Sequence, residues 1–177
     1  MKKFNKKALI LASVLCLSLF ALVGCGGDDT TNAEDETPTA EEEAQTIHDY
    51  DDIAATFETP DDYFEALDTF TAAAKNVKTD LANRLAEIDT ADQTAVAEVV
   101  DTVKKPFTQF MAATAPADYA EANQYYTKAC EQIIAYIDAA AKGEDASAQL
   151  EEAMGNINAG TTAVTDILVK TGNNQGE

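Results

Sequence analysis

Past Cys25 the chain has one histidine (His48), one serine (Ser147), one further cysteine (Cys130) and no tryptophan. That poverty excludes much chemistry. A serine triad would need His48 as its base, from an acidic stretch ahead of the helix-patterned region, with Ser147 at a helix start. Zinc sites of the cysteine and histidine kind lack ligands, and the Glu-x-x-His pairs of a di-iron bundle find no histidine on a helix. No glycine-rich phosphate loop occurs among the 8 glycines. The inventory calls for no cofactor and no metal. Carboxylates are plentiful, so a carboxylate-dependent enzyme stays open.

Positive charge is also scarce. Of the 12 Lys and Arg, Lys2, Lys3, Lys6 and Lys7 precede residue 27, where no acid occurs; the remaining 8 face all 32 acids, so the body carries −24. No nucleic acid is expected as a partner, because phosphate neutralisation needs clustered lysine and arginine. Adsorption of the protein surface to anionic lipid is disfavoured for the same reason.

A different membrane attachment is written at the start. "MKKFNKK" is a basic segment, and Ala8 to Gly24 follow without a charge. Seventeen residues are short for a span, whereas a basic start, apolar middle and small residues before a break make a secretory signal. Leu22-Val23-Gly24-Cys25 then resembles the lipobox of bacterial lipoprotein precursors. The resemblance covers residues 1–27 only. It implies cleavage of residues 1–24 between Gly24 and Cys25, with diacylglyceryl on the Cys25 thiol. Membrane lipid would then be one partner, and the protein would sit on the extracytoplasmic face of the cell membrane. Two acyl chains hold a protein where one exchanges, since each buried methylene contributes about 0.8 kcal/mol.

Residues 25–58 read as the lipidated cysteine followed by an acidic, flexible tether. No Lys or Arg occurs between Lys7 and Lys75, and large apolar residues are few. Such a stretch spans on the order of 30 Å. His48-Asp49-Tyr50-Asp51-Asp52 lacks the alternating ligands and glycine of a calcium loop and reads as solvated charge. Tyr50 to Phe57 has enough apolar residues for a short helix packed on the domain.

From Thr59 to 172 the apolar spacing has the helical period. Thr59-Pro60-Asp61-Asp62 is a start signal, and Tyr63, Leu67, Phe70, Ala74, Val77, Leu81, Leu85 and Ile88 continue as one stripe. Thr90 with Gln93 suggests a capping box for a second helix striped by Val96, Val99, Val100, Val103, Phe107, Phe110 and Met111. Pro116 opens a third, ended by Gly143, and Asp145 caps a fourth. Helices of about 24 to 29 residues joined by two- or three-residue turns predict an all-α, up-down-up-down antiparallel four-helix bundle with a disordered tail at 173–177. Residues 59–77 and 115–133 match at 7 of 19 positions, either a duplicated hairpin or a shared way of starting a helix.

Asp80–Arg84, Asp101–Lys105, Asp138–Lys142 and Asp166–Lys170 have the spacing of helix ion pairs. Pro106 should kink the second helix. Cys130 lies on or beside a stripe and reads as an inert core thiol, with an intermolecular disulfide as the rival. Tyr119, Tyr125, Tyr126 and Tyr136 are either core and rim packing or a partner surface. The functional expectation is a non-enzymatic binding or interaction domain on a lipid anchor, with an unknown protein or envelope component as partner. A carboxylate-dependent cell-envelope enzyme and a spacer without a specific ligand are the alternatives.

Overall fold

A computed structural model describes residues 46–173. The signal segment, Gly24, Cys25 and the first part of the tether lie outside the described residues, as do 174–177. Among the described residues the chain is all-α and bundle-like. Its helices are α1 (Pro60–Ala86), α2 (Gln93–Ala112), α3 (Ala120–Ala140, preceded by a 3-10 turn at Ala117–Tyr119) and α4 (Ser147–Asn173). An isolated parallel bridge joins Thr56 to Thr114. Asn173, expected in the tail, is the last residue of α4.

Local chemistry sets the helix ends. Thr59 accepts from the Asp62 N–H at 3.2 Å while the Asp62 carboxylate accepts from the Thr59 N–H at 2.8 Å, a reciprocal capping box followed by Pro60. The second start differs from expectation. Asp89 closes a turn by accepting from the Ala91 and Asp92 N–H groups, and Asp92 then caps α2 through Thr94 and Ala95. Gln93 is therefore the first helical residue, too early to complete a box with Thr90. Pro116 likewise opens a 3-10 turn rather than α3 itself. These changes shorten α2 and α3 to 20 and 21 residues and lengthen the connections beyond two or three residues. Gly143 (φ 75°) turns the chain after α3, and Asp145 accepts from Ser147 at the start of α4.

Aromatic rings fill the centre. Phe70 stacks on Phe110 with centroids 4.9 Å apart, and Tyr126 meets both edge-on. Tyr63 stacks on Tyr119 at 5.4 Å. Tyr63/Tyr119 and Phe70/Tyr126 are corresponding positions of the 56-residue echo, so the repeated segments meet through their matching residues. The Tyr126 hydroxyl lies 3.3 Å from the Thr161 hydroxyl, which tethers α3 to α4. Gly160 sits against the face of that ring, where a Cβ would come within 2.8 Å of it. Helices adjacent in sequence pack together, α3 with α4 most closely; α1 and α4 barely approach each other.

Residues 46–58 keep most of their side chains exposed, yet the segment is docked on the helices. They form an extended strap across α1 and α2, and Tyr50–Phe57 is not a helix. Ile53 is buried, its N–H donates to Gln109 Oε1 at 3.1 Å, and the Ala55 carbonyl accepts from Thr114 N–H at 3.2 Å. Two of the three acids that read as free charge find a cation. Asp49 pairs with Arg84 and Asp52 with Lys105, both at 2.6 Å. Arg84 and Lys105 are thereby drawn out of the expected helix pairs, and Asp138 bonds Lys104 on α2 instead of Lys142. Charges between elements replace charges along one helix.

Candidate functional site

Because α1 and α4 do not close on each other, a groove of about 950 Å³ runs between them over the α3–α4 turn. Its floor is apolar: Ala74 from α1, Tyr136 and Ala140 from α3, Ala146 from the turn, Leu150 and Met154 from α4. Ala74, Tyr136 and Ala146 are buried, while Leu150 and Met154 are half-buried and keep part of their surface for something else. Methionine adapts its shape to what it meets, which suits a binding floor.

The groove's charge is divided. Lys75 and Lys78, both exposed, line it from α1; Glu144, Asp145 and Glu151 line it from the turn and α4. The ion pairs of the described residues are His48–Asp80, Arg84–Asp49, Lys104–Asp138 and Lys105–Asp52, so neither groove lysine is in one. Lys128, Lys142 and Lys170 are unpaired too, but Lys75 and Lys78 stand three residues apart on one helix and give this wall a local positive charge in a body of −24.

Gly155 completes the wall. Glycine inside a helix costs roughly 1 kcal/mol against alanine, and a Cβ at Gly155 would meet nothing within 4 Å. Packing therefore does not require glycine there, in contrast to Gly160. Glycine in a groove wall lets another chain come close to the backbone. Sequence reading missed this site. Its signal was Gly155 interrupting a helical pattern with no turn to serve.

A second cluster lies under the strap, around Asp80. This side chain is buried, and its carboxyl accepts from the His48 N–H at 3.1 Å, from His48 Nδ1 at 2.8 Å and from the Tyr50 hydroxyl at 2.9 Å. Burial, and then the Asp80 carboxyl, pushes the Tyr50 hydroxyl well above the ordinary tyrosine range. A cavity of about 230 Å³ adjoins it, lined by His48, Arg84 and Lys105 among others. A carboxyl orienting an imidazole is half of a catalytic base arrangement. The aliphatic hydroxyl lining that cavity, Thr102, is instead engaged with the Glu98 carbonyl at 2.8 Å. Ser147 lies at the groove, at the start of α4. Three bonds converging on one acid from a strap make this cluster an anchor for the strap.

Of the four tyrosines read as core or partner surface, Tyr119, Tyr126 and Tyr136 are buried. They do not form one exposed face with Tyr125, which alone is exposed, at 37%. Tyr136 reaches the groove floor; Tyr119 and Tyr126 belong to the aromatic centre. Burial raises the Tyr119 and Tyr136 hydroxyls above their ordinary range. Cys130 is wholly buried and free, and burial pushes its thiol far above the ordinary range. No group of three or more His, Cys, Asp or Glu among the described residues is placed to share a metal ion. No helix among them is long and apolar enough to cross a membrane.

No family model, curated protein or solved structure matches this chain. The functional reading thus stands on the groove and on the sequence ahead of the domain.

Proposed function

We propose that this protein is a lipoprotein held on the extracytoplasmic face of a cell membrane by diacylglyceryl on Cys25, and that its helical domain is a binding module without catalytic activity. The helices alternate in direction as an up-down-up-down antiparallel bundle left open on one side. Support for that direction comes from contacts such as Phe70–Phe107, Phe110–Tyr126 and Gln132–Asn156, each of which joins the earlier half of one helix to the later half of its neighbour. The acidic segment after Cys25 carries the domain away from lipid, and the strap from Thr46 onward docks it at a defined place on α1 and α2.

One observation carries the binding reading: the groove between α1 and α4, with an apolar floor, unpaired lysines on one wall and a glycine that packing does not need. Ligand sites occur between the helices of bundles and need no special residue types. The buried rings of Tyr119 and Tyr126 leave Tyr125 as the rival point of contact on α3.

Site-directed photocrosslinking in living cells tests this. A photoreactive side chain at Gly155 of the anchored protein should give a discrete adduct that one at Tyr125 does not. Equal adducts from both positions, or none from Gly155, would contradict a groove-centred function.

A further inference from the structure

Resting on that binding reading, we propose that the groove's occupant is an amphipathic helix of a partner protein, with acidic residues along one edge of its apolar face and basic residues along the other. The dimensions point to a helix. The α4 wall from Ser147 to Asn158 runs about 17 Å at the helical rise. That is about three helical turns, and a groove of about 950 Å³ between two helices has room along it for the face of a third.

The floor meets the requirement for an apolar face recurring every three or four residues over about three turns. Lys75 and Lys78 on the α1 wall complement an acidic edge, and Glu144 and Glu151 on the other side complement a basic one. Gly155 lets the incoming backbone approach α4 closely. Reversing the direction of a bound helix, apolar face still down, exchanges its two edges between the walls. The division of charge therefore dictates the direction in which the helix lies.

The test uses the full lipidated protein in nanodiscs of neutral phosphatidylcholine, with empty discs as blank. The probe is a 14-residue synthetic helix with one apolar face, glutamates on one edge and lysines on the other. Its control has the same composition with charges interleaved on both edges. The two-edged peptide should bind at least fivefold more tightly than the interleaved one, and Lys75→Glu with Lys78→Glu should abolish the preference. With a spin label on the peptide's N-terminus, exchanging the two edges should move signal broadening from one end of the groove to the other, between Gly155–Asn158 and Glu144. Equal affinity for both peptides, broadening that does not move, or no saturable binding overturns the helix. Palmitate filling the groove while peptides fail overturns the helix and leaves the groove as a binding site; an empty groove together with a silent Gly155 crosslinker removes the binding reading itself.

Discussion

Two glycines five residues apart on α4 should respond differently to the same added methyl. At Gly160 an alanine Cβ would stand 2.8, 2.9 and 3.0 Å from three atoms of the Tyr126 ring, well inside van der Waals contact. The ring cannot easily yield. It is 1% exposed, packs edge-on against Phe70 and Phe110, and its hydroxyl meets Thr161. Overpacking of this kind costs about 1–3 kcal/mol, and the gain of about 1 kcal/mol from replacing a helical glycine offsets only part of it. Gly160→Ala should thus gain nothing and lose up to about 2 kcal/mol. Gly155→Ala meets nothing within 4 Å and keeps the whole propensity gain. The two variants should differ by about 1–3 kcal/mol, the overpacking cost itself, or roughly 4–12 °C in Tm for a domain of this size. Urea titration and calorimetry on both read this directly, and Gly160→Ala placed in a Tyr126→Leu background should recover most of its loss. Equal stabilisation by both alanines would show that Tyr126 is not seated on α4, and the account of the core would fail with it.

Further outcomes follow from the strap, the core thiol and the anchor. Asp80→Ala strands the His48 N–H and takes one of three partners from the Tyr50 hydroxyl, which keeps Asn76 and the Ala72 carbonyl; the loss should cost about 1–3 kcal/mol and speed thermolysin cleavage at Ile47 and Ile53. Lys105, then Gln109, hold the Asp52 carboxyl below its ordinary range. Its folded value is depressed, so its contribution is present above about pH 4 and lost as pH falls through the folded value; pepsin cleavage of the strap should quicken there, and Asp52→Asn should remove that step. Cys130 should alkylate slowly in the native protein and quickly in denaturant. Its raised folded value means stability is intact below about pH 8.5 and declines as pH climbs above it, where the unfolded thiol ionises. Cys25→Ser should yield a protein neither lipidated nor cleaved before residue 25; lipid on that variant would refute the anchor.

Much of the domain was legible because burial leaves a periodic mark. Tyr63, Leu67, Phe70, Ala74, Val77 and Leu81 are all buried as their spacing required, as are Val103, Phe107 and Phe110, whereas Leu85, Ile88, Val96, Val99 and Val100, around the α1–α2 turn, are only half-buried. Met111, placed on the same stripe, is exposed at 38%, since α2 ends within two residues and its last turn leaves the core. The strap was not legible. Its acids look like solvated charge until Arg84 and Lys105 are seen to reach them, and a sequence shows helix neighbours more readily than partners 35 or more residues away. Asp80 is the clearest case: spacing paired it with Arg84, whereas it is buried under His48 and Tyr50. The groove was hidden for another reason. Four apolar stripes imply four packed helices, and nothing in periodicity says that α1 and α4 fail to meet.

Function in the native host tests the groove most directly. Gly155→Trp would place a large ring in the groove at a position where the fold leaves open space. The account predicts that this variant reaches the cell surface in normal amount and melts like the wild type, yet loses the protein's cellular effect. Single replacements of exposed helix carboxylates such as Glu98, Glu121 and Glu131 should each leave that effect intact. A functional Gly155→Trp protein, or one carboxylate whose loss abolishes function while folding and surface level are unchanged, would contradict a binding role for the groove.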